Sequence, residues 1–182
     1  MTAAPRVPGA PDVPPDPSGA GGDEATSAEV RTARLLVAAQ MVLLALLVLL
    51  PGGEAWPVPS WLRVLCAAGV AVGLVVMVLA GTALGRGLTA VPLPNRHAVL
   101  RTGGLYRAVR HPIYTGLLLT TGSFTVASGS VPRALAFVVL VVLLRGKARW
   151  EEERLARAFP GYREYAARTP RFVPGGRRRG GR

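Results

Sequence analysis

Two stretches of this chain carry no charge over lengths that one face of a soluble helix could not hide. Residues 35–50 (LLVAAQMVLLALLVLL) run for sixteen positions, and residues 64–84 for twenty-one, without an acid or a base. A hydrocarbon core about 30 Å thick needs roughly 20 helical residues, so the second stretch spans it. The first does so once Ala33 and a snorkelling Arg34 extend it. Two shorter apolar stretches follow, 113–128 and 131–144, joined by Gly129 and Ser130. The earlier of these carries Thr115, Thr120, Thr121, Ser123 and Thr125, hydroxyls that are tolerated where membrane helices meet. The pair reads as a tight hairpin whose polar face packs against protein. The expected fold is therefore an all-α integral membrane protein with about four transmembrane helices, the last two forming a C-terminal hairpin.

Charge then orients these spans. The chain is 50% hydrophobic and only 18% charged, yet its net charge is +12 from 22 Lys and Arg against 10 Asp and Glu. An even number of spans leaves both termini on one side, and twenty of the 22 basic residues fall on that side, leaving only Arg63 and Arg133 opposite. The positive-inside rule makes that side cytoplasmic. The charge is thus explained by topology, with the anionic headgroups of the lipid bilayer as its counter-surface and no need for nucleic acid. Arginine outnumbers lysine 21 to 1 in an Ala/Gly/Pro/Val-rich chain, which suggests a bacterial cytoplasmic membrane. A lone cysteine, Cys66, excludes a disulfide framework and a Cys-based zinc site.

The remaining segments divide by composition. Residues 1–30, rich in Pro, Gly and Ala with no apolar run, are expected to be a disordered cytoplasmic tail, and 175–182 a basic tail. Between the two transmembrane helices of 31–84 and that tail, residues 85–174 hold the groups capable of chemistry. The loop GRGLTAVPLPNRHAVLRTGGLYRAVRHP is too long to be a mere connector. Gly103-Gly104 marks a turn, Leu105 to Arg110 has short helical potential, and Pro112 suits the first position of the next helix, which puts His111 near its N-cap. Arg110, His111 and the free amides of that helix start would converge on an anionic group. Tyr114 adds a ring and a hydroxyl, and Gly116 lets something approach the backbone. His97, in PLPNRH, has no such company and is read as structural.

Beyond the hairpin, KARWEEERLARAFPGYREYAA is broken at Pro160-Gly161 into two expected short helices. Glu152 is three residues before Leu155 and seven before Phe159, so it shares their apolar face; Glu153 faces solvent and Glu151 is intermediate. A carboxylate on a buried face is costly unless partnered. Glu152 is accordingly the acid expected to hold a ligand, or an arginine such as Arg149 or Arg110. Tyr162 and Tyr165 are expected to be interfacial anchors.

Together, LRTGGLYRAVRHPIYTG and EEERLARAFPGYREYAARTPRFVPG, placed around an apolar hairpin, resemble the isoprenylcysteine carboxyl methyltransferases and the related phospholipid methyltransferases. The resemblance covers roughly residues 85–175 and implies a membrane enzyme that uses S-adenosylmethionine. It implies that Tyr106, Arg110, His111, Pro112, Tyr114, Gly116 and Glu152 enclose that cofactor beside a lipid-accessible tunnel, with Glu152 and Arg149 as catalytic residues. The family's basic position before the acid corresponds to Lys147 or Arg149. One departure is that the chain has Phe159-Pro160-Gly161-Tyr162 where the family often has Phe-Gly-x-x-Tyr.

The expected function is methyl transfer to a lipophilic or lipid-anchored acceptor, with Thr and Ser of the third span lining part of its route. A sulfonium leaves as a neutral group, so positioning and exclusion of water supply most of what the reaction needs. Two alternatives come from other classes: an NADPH-dependent membrane reductase of the sterol-reductase type, and a non-catalytic membrane binding protein on the same scaffold. The reductases tend to have Asn and Glu where this chain has Ile113 and Leu117, which counts against the first.

Overall fold

The computed structural model describes residues 26–85 and 100–175. Residues 1–25, 86–99 and 176–182, which include most of the expected N-terminal tail, His97 and nearly all of the basic tail, lie outside the described residues. The regular elements are helices: α1 (Ser27–Leu49), α2 (Ser60–Leu84), α3 (Leu105–Ala108), α4 (Pro112–Ala127), α5 (Val131–Ala158) and α6 (Tyr162–Arg168).

Among the described residues, α1 and α2 are the two helices long and apolar enough to cross a membrane. Only 11% and 17% of their most apolar windows are buried within the protein, whereas a soluble core helix would be mostly covered. Their outer faces, including Leu35, Met41, Val42, Val64, Val75 and Val78, need an apolar surrounding. α1 begins inside the segment expected to be a tail, because Thr26 and Glu29 form a capping box that satisfies its first amides. α4 has 16 residues, so on length it does not match α1 and α2.

Packing follows small residues. α2 lies chiefly on α4 and α1 chiefly on α5, while α4 and α5 meet between them. A Cβ at Gly73 would fall 2.6 Å from the Gly116 carbonyl oxygen, and one at Gly116 the same distance from that of Gly73. The backbones of α2 and α4 therefore touch, as membrane helices do where small residues line the crossing. Four hydroxyls of α4 serve this packing and their own helix. Thr120 and Ser123 face Gly73 and Gly69, while Thr121 and Thr125 donate to the carbonyls of Leu117 and Thr121. Leu47, Leu117, Ala136, Leu140 and Leu144 fill the centre.

One end of the bundle is buckled. Gly53 and Ala55 in the α1–α2 loop donate backbone bonds to Ser128 and Gly129 of the α4–α5 turn, each at 2.9 Å. Gly129 has φ +60, which favours glycine there. Arg133 reaches across to the Leu50 carbonyl (2.6 Å), satisfying the C-terminal end of α1, and Trp56 donates to Val126 O (2.9 Å). At the other end Arg154 pairs with Glu29 at 2.8 Å. The start of α1 and the end of α5 therefore share a side.

α5 corrects the expected architecture. The segment after the hairpin is not a separate short helix but the continuation of the same helix, unbroken for 28 residues from Val131 to Ala158. Lys147 to Ala158 holds strong helix formers and no proline, so nothing stops the helix before Phe159 and Pro160.

Candidate active site

Three segments meet at the end of the bundle opposite the buckle: the start of α4, the last turns of α5, and residues 169–173 after α6. Gly104, with φ +57, reverses the chain into α3. Pro112 occupies the first turn of α4 and His111 its N-cap, as the sequence suggests. The His111 side chain does not cap the helix. It turns instead toward two carboxylates on α5.

Glu152 is the hub. Its Oε1 lies 3.0 Å from His111 Nε2 and accepts from Arg171 Nε at 2.8 Å. Its Oε2 accepts from Arg171 Nη2 at 2.5 Å and pairs with Arg110 Nη1 at 3.2 Å. Burial alone would raise this carboxyl, but the bonds from Arg171 and His111 and the charge of Arg110 hold it down at about 2. It is therefore ionised and can only accept, which makes His111 Nε2 the donor.

Glu151 is the opposite case one residue away. Tyr114 donates its hydroxyl to Glu151 Oε1, and His111 Nδ1 lies 3.5 Å from Glu151 Oε2. Burial raises this carboxyl above its ordinary value despite the nearby His111, Tyr114 and Lys147, and the Glu152 charge adds to the rise. His111 thus faces both carboxyls, Nε2 toward Glu152 and Nδ1 toward Glu151. The His111 and Tyr114 rings stack with centroids 5.3 Å apart and planes 7° from parallel, and Phe172 tilts against both.

Lys147 completes the cluster from below. It is 4% exposed, donates to Gln40 Oε1 of α1 at 2.8 Å, and stands 5.2 Å from the Tyr114 ring centroid. The structure thereby separates the two candidates for the basic position: Lys147 faces the cluster, whereas Arg149 is exposed. Two residues apart on a helix means about 200° of rotation, so both cannot face one site.

Of the expected site residues, the structure brings together Arg110, His111, Pro112, Tyr114 and Glu152, and leaves Arg149 and Gly116 elsewhere. What approaches the Gly116 backbone is α2, through Gly73 and Met77. Tyr106 is one layer removed. It is buried, donates to the Ala80 carbonyl at 3.3 Å, and accepts from the Tyr165 hydroxyl on its own carbonyl. Tyr162 and Tyr165 are not interfacial anchors but buried neighbours of Phe159 and Leu100, forming the small core under which the last turns of α5 are held. The three glutamates rank in exposure as their spacing predicts, with Glu152 buried, Glu153 exposed and Glu151 between.

Sequence reasoning missed Glu151 and Arg171 as members of the cluster, and Gln40 as its link to α1. Gln40 carried a signal, being the polar interruption in the uncharged run 35–50. Arg171 sits among other arginines in an irregular stretch, where no periodicity marks it.

A family model described as phospholipid methyltransferase matches residues 61–161. Among characterised proteins, the chain is 33% identical over 81 residues to the cobalt-zinc-cadmium resistance protein CzcN of Cupriavidus metallidurans, covering 44% of this chain and 38% of that one. It is 32% identical over 142 residues to the nickel-cobalt-cadmium resistance protein NccN of Alcaligenes xylosoxydans xylosoxydans, covering 74% of this chain and 61% of that one. The chain thus spans between about two fifths and three fifths of the length of these relatives.

Proposed function

The chain belongs to the phospholipid methyltransferase family, and from that premise we propose that it transfers a methyl group from S-adenosylmethionine to a lipid-borne acceptor at the cytoplasmic face of a bacterial membrane. The observation that carries the reading is the convergence of Arg110 and His111 with Glu151 and Glu152. They come from two segments 41 residues apart, both within the family match, on the end of the bundle that gathers the basic residues.

The residues present fit the cofactor. Its amino-acid end needs an acid for the ammonium and a base for the carboxylate, and the site holds Glu152 beside two arginines, Arg110 and Arg171. Arg110 lies beside the Tyr162 hydroxyl, which helps to hold its guanidinium toward Glu152. When bound, S-adenosylmethionine supplies a methyl group on a sulfonium that leaves as a neutral thioether.

The chain's own work is positioning, exclusion of water and, for some acceptors, handling one proton. The Phe172, Tyr114 and His111 rings pack together, and the Glu151 and Glu152 carboxyls beside them are largely withdrawn from water. A lipid carboxylate needs no base. A lipid amine must first lose a proton, and His111 Nδ1 and Glu151 Oε2 are the atoms placed to take it. The bilayer delivers the acceptor, since the apolar faces of α1 and α2 are open to it.

The test is methyl transfer in membranes containing the protein, with labelled S-adenosylmethionine and bacterial lipid extract, followed by mass identification of the product. Label in an extractable lipid supports the reading; label confined to soluble small molecules defeats it. Binding of S-adenosylmethionine is expected to be lost in Glu152→Ala and kept in His97→Ala. Binding of NADPH in its place would select the reductase alternative.

A further inference from the structure

After α6 the chain turns back across the site. The Arg110 amide donates to Pro170 O (2.9 Å), the His111 amide to Arg171 O (3.1 Å) and the Thr115 hydroxyl to Phe172 O (2.7 Å). These bonds lay residues 170–172 as a strap over the first turn of α4. From it Arg171 makes a bidentate pair with Glu152, and Phe172 leans on the His111 and Tyr114 rings. The strap lies beyond the segment matched by the family, which ends at residue 161.

A guanidinium and a carboxylate held side by side present what the two ends of an α-amino acid require: a planar fork for its carboxylate and an acceptor for its ammonium. The Arg171 side chain is 26% exposed and that of Glu152 11%, so the arginine stands on the open side of the pair. Glu152 has two other partners, the Arg110 guanidinium and the His111 ring, and keeps both when Arg171 turns away.

We propose that the Arg171–Glu152 pair is the seat of the cofactor's amino-acid end, Arg171 taking the carboxylate and Glu152 the ammonium, with residues 169–173 as the strap that carries Arg171 onto it. This rests on the methyl-transfer reading above. The two side chains satisfy each other in the structure, and the zwitterion enters between them by exchanging one ion pair for two.

Two ligands separate this from a structural role for the strap: S-adenosylhomocysteine, and 5′-methylthioadenosine, which keeps the adenosine and thioether but lacks the amino-acid end. Affinities are measured by calorimetry on the full chain in lipid nanodiscs. In Arg171→Gln, S-adenosylhomocysteine is expected to bind about ten- to a hundredfold more weakly, the weight of a charge-assisted bidentate contact. Methylthioadenosine should stay within about twofold of wild type. Arg171→Lys keeps the charge without the fork, and the same selective loss, reduced to about tenfold, is expected there even if the glutamine variant does not fold. Equal loss of both ligands, or loss of neither, overturns the proposal. A wild-type protein that binds neither ligand overturns the methyl-transfer reading itself.

Discussion

Glu29 holds the start of α1 and the end of α5 with one carboxylate. Its Oε2 accepts the Thr26 amide at 3.2 Å, closing the capping box, while its Oε1 accepts Arg154 Nη2 at 2.8 Å, 125 residues further on. Arg154 lies flat on the Trp150 ring, 3.2 Å from the centroid, which restricts it to that reach. Glu29→Ala should therefore cost about 1 kcal/mol or somewhat more, the sum of a lost cap and a partly exposed pair. Amide exchange should quicken in the first turn of α1 and in the last turns of α5 together. Faster exchange in α1 alone would mean that the Arg154 contact contributes nothing.

Adjacent glutamates should respond with opposite signs. The folded protein holds the Glu152 carboxyl well below 4.5, at about 2, so its stabilising contribution is complete above pH 4.5 and fades as the pH falls toward 2. Glu151 is held above its ordinary value, so its ionised form is a burden on the folded state that sets in as the pH rises past that value. Glu152→Gln is expected to lower the melting temperature at pH 7, with the deficit shrinking at pH 3. Glu151→Gln, which still offers Tyr114 an acceptor, should raise it at pH 7. The reverse order of the two melting temperatures would show that His111 and Lys147 outweigh the burial of Glu151.

Gly116→Ala tests whether that glycine serves packing or ligand. The added methyl would meet Gly73 O at 2.6 Å and Met77 Cγ at 2.7 Å, forcing α2 and α4 apart at a cost of about 1–3 kcal/mol. Thermal unfolding in detergent should show the loss. The folded fraction should bind S-adenosylhomocysteine as wild type does, since Gly116 faces α2; weakened binding would return the residue to the site.

The buried Lys147–Gln40 contact should behave as a unit. Gln40→Leu removes an acceptor from a buried ammonium, and Lys147→Met removes the charge that needs it. The first alone is expected to destabilise by about 1–3 kcal/mol. The double variant should be less destabilised than the sum of the singles, by at least about 0.5 kcal/mol in a double-mutant cycle. Additive effects would mean that the Lys147–Gln40 bond contributes nothing to holding α1 on α5.

What could be read from the sequence was what periodicity and turn chemistry encode. The uncharged runs, the Gly129-Ser130 turn, Pro112 opening a helix with His111 before it, and the inward face of Glu152 are local consequences of side-chain spacing. The partners of those residues were less legible. Arg171 meets Glu152 because an irregular strap returns after α6, and nothing in local spacing marks that return. Gly116 resembles a ligand-facing position until α2 is seen against it, because a close approach looks the same in sequence whichever body makes it. The continuity of α5 was obscured by its change from apolar to charged at Arg145, a change of solvent that reads like a change of element.

That unbroken helix fixes a depth. Arg133, tied to the buckle, and Glu152, at the centre of the site, lie on the same rod 19 residues apart, about 28 Å along the axis. Neither end can shift along the helix axis without the other. The height of Glu152 above the buckle is thus set by the helix itself rather than by the loops around the cluster.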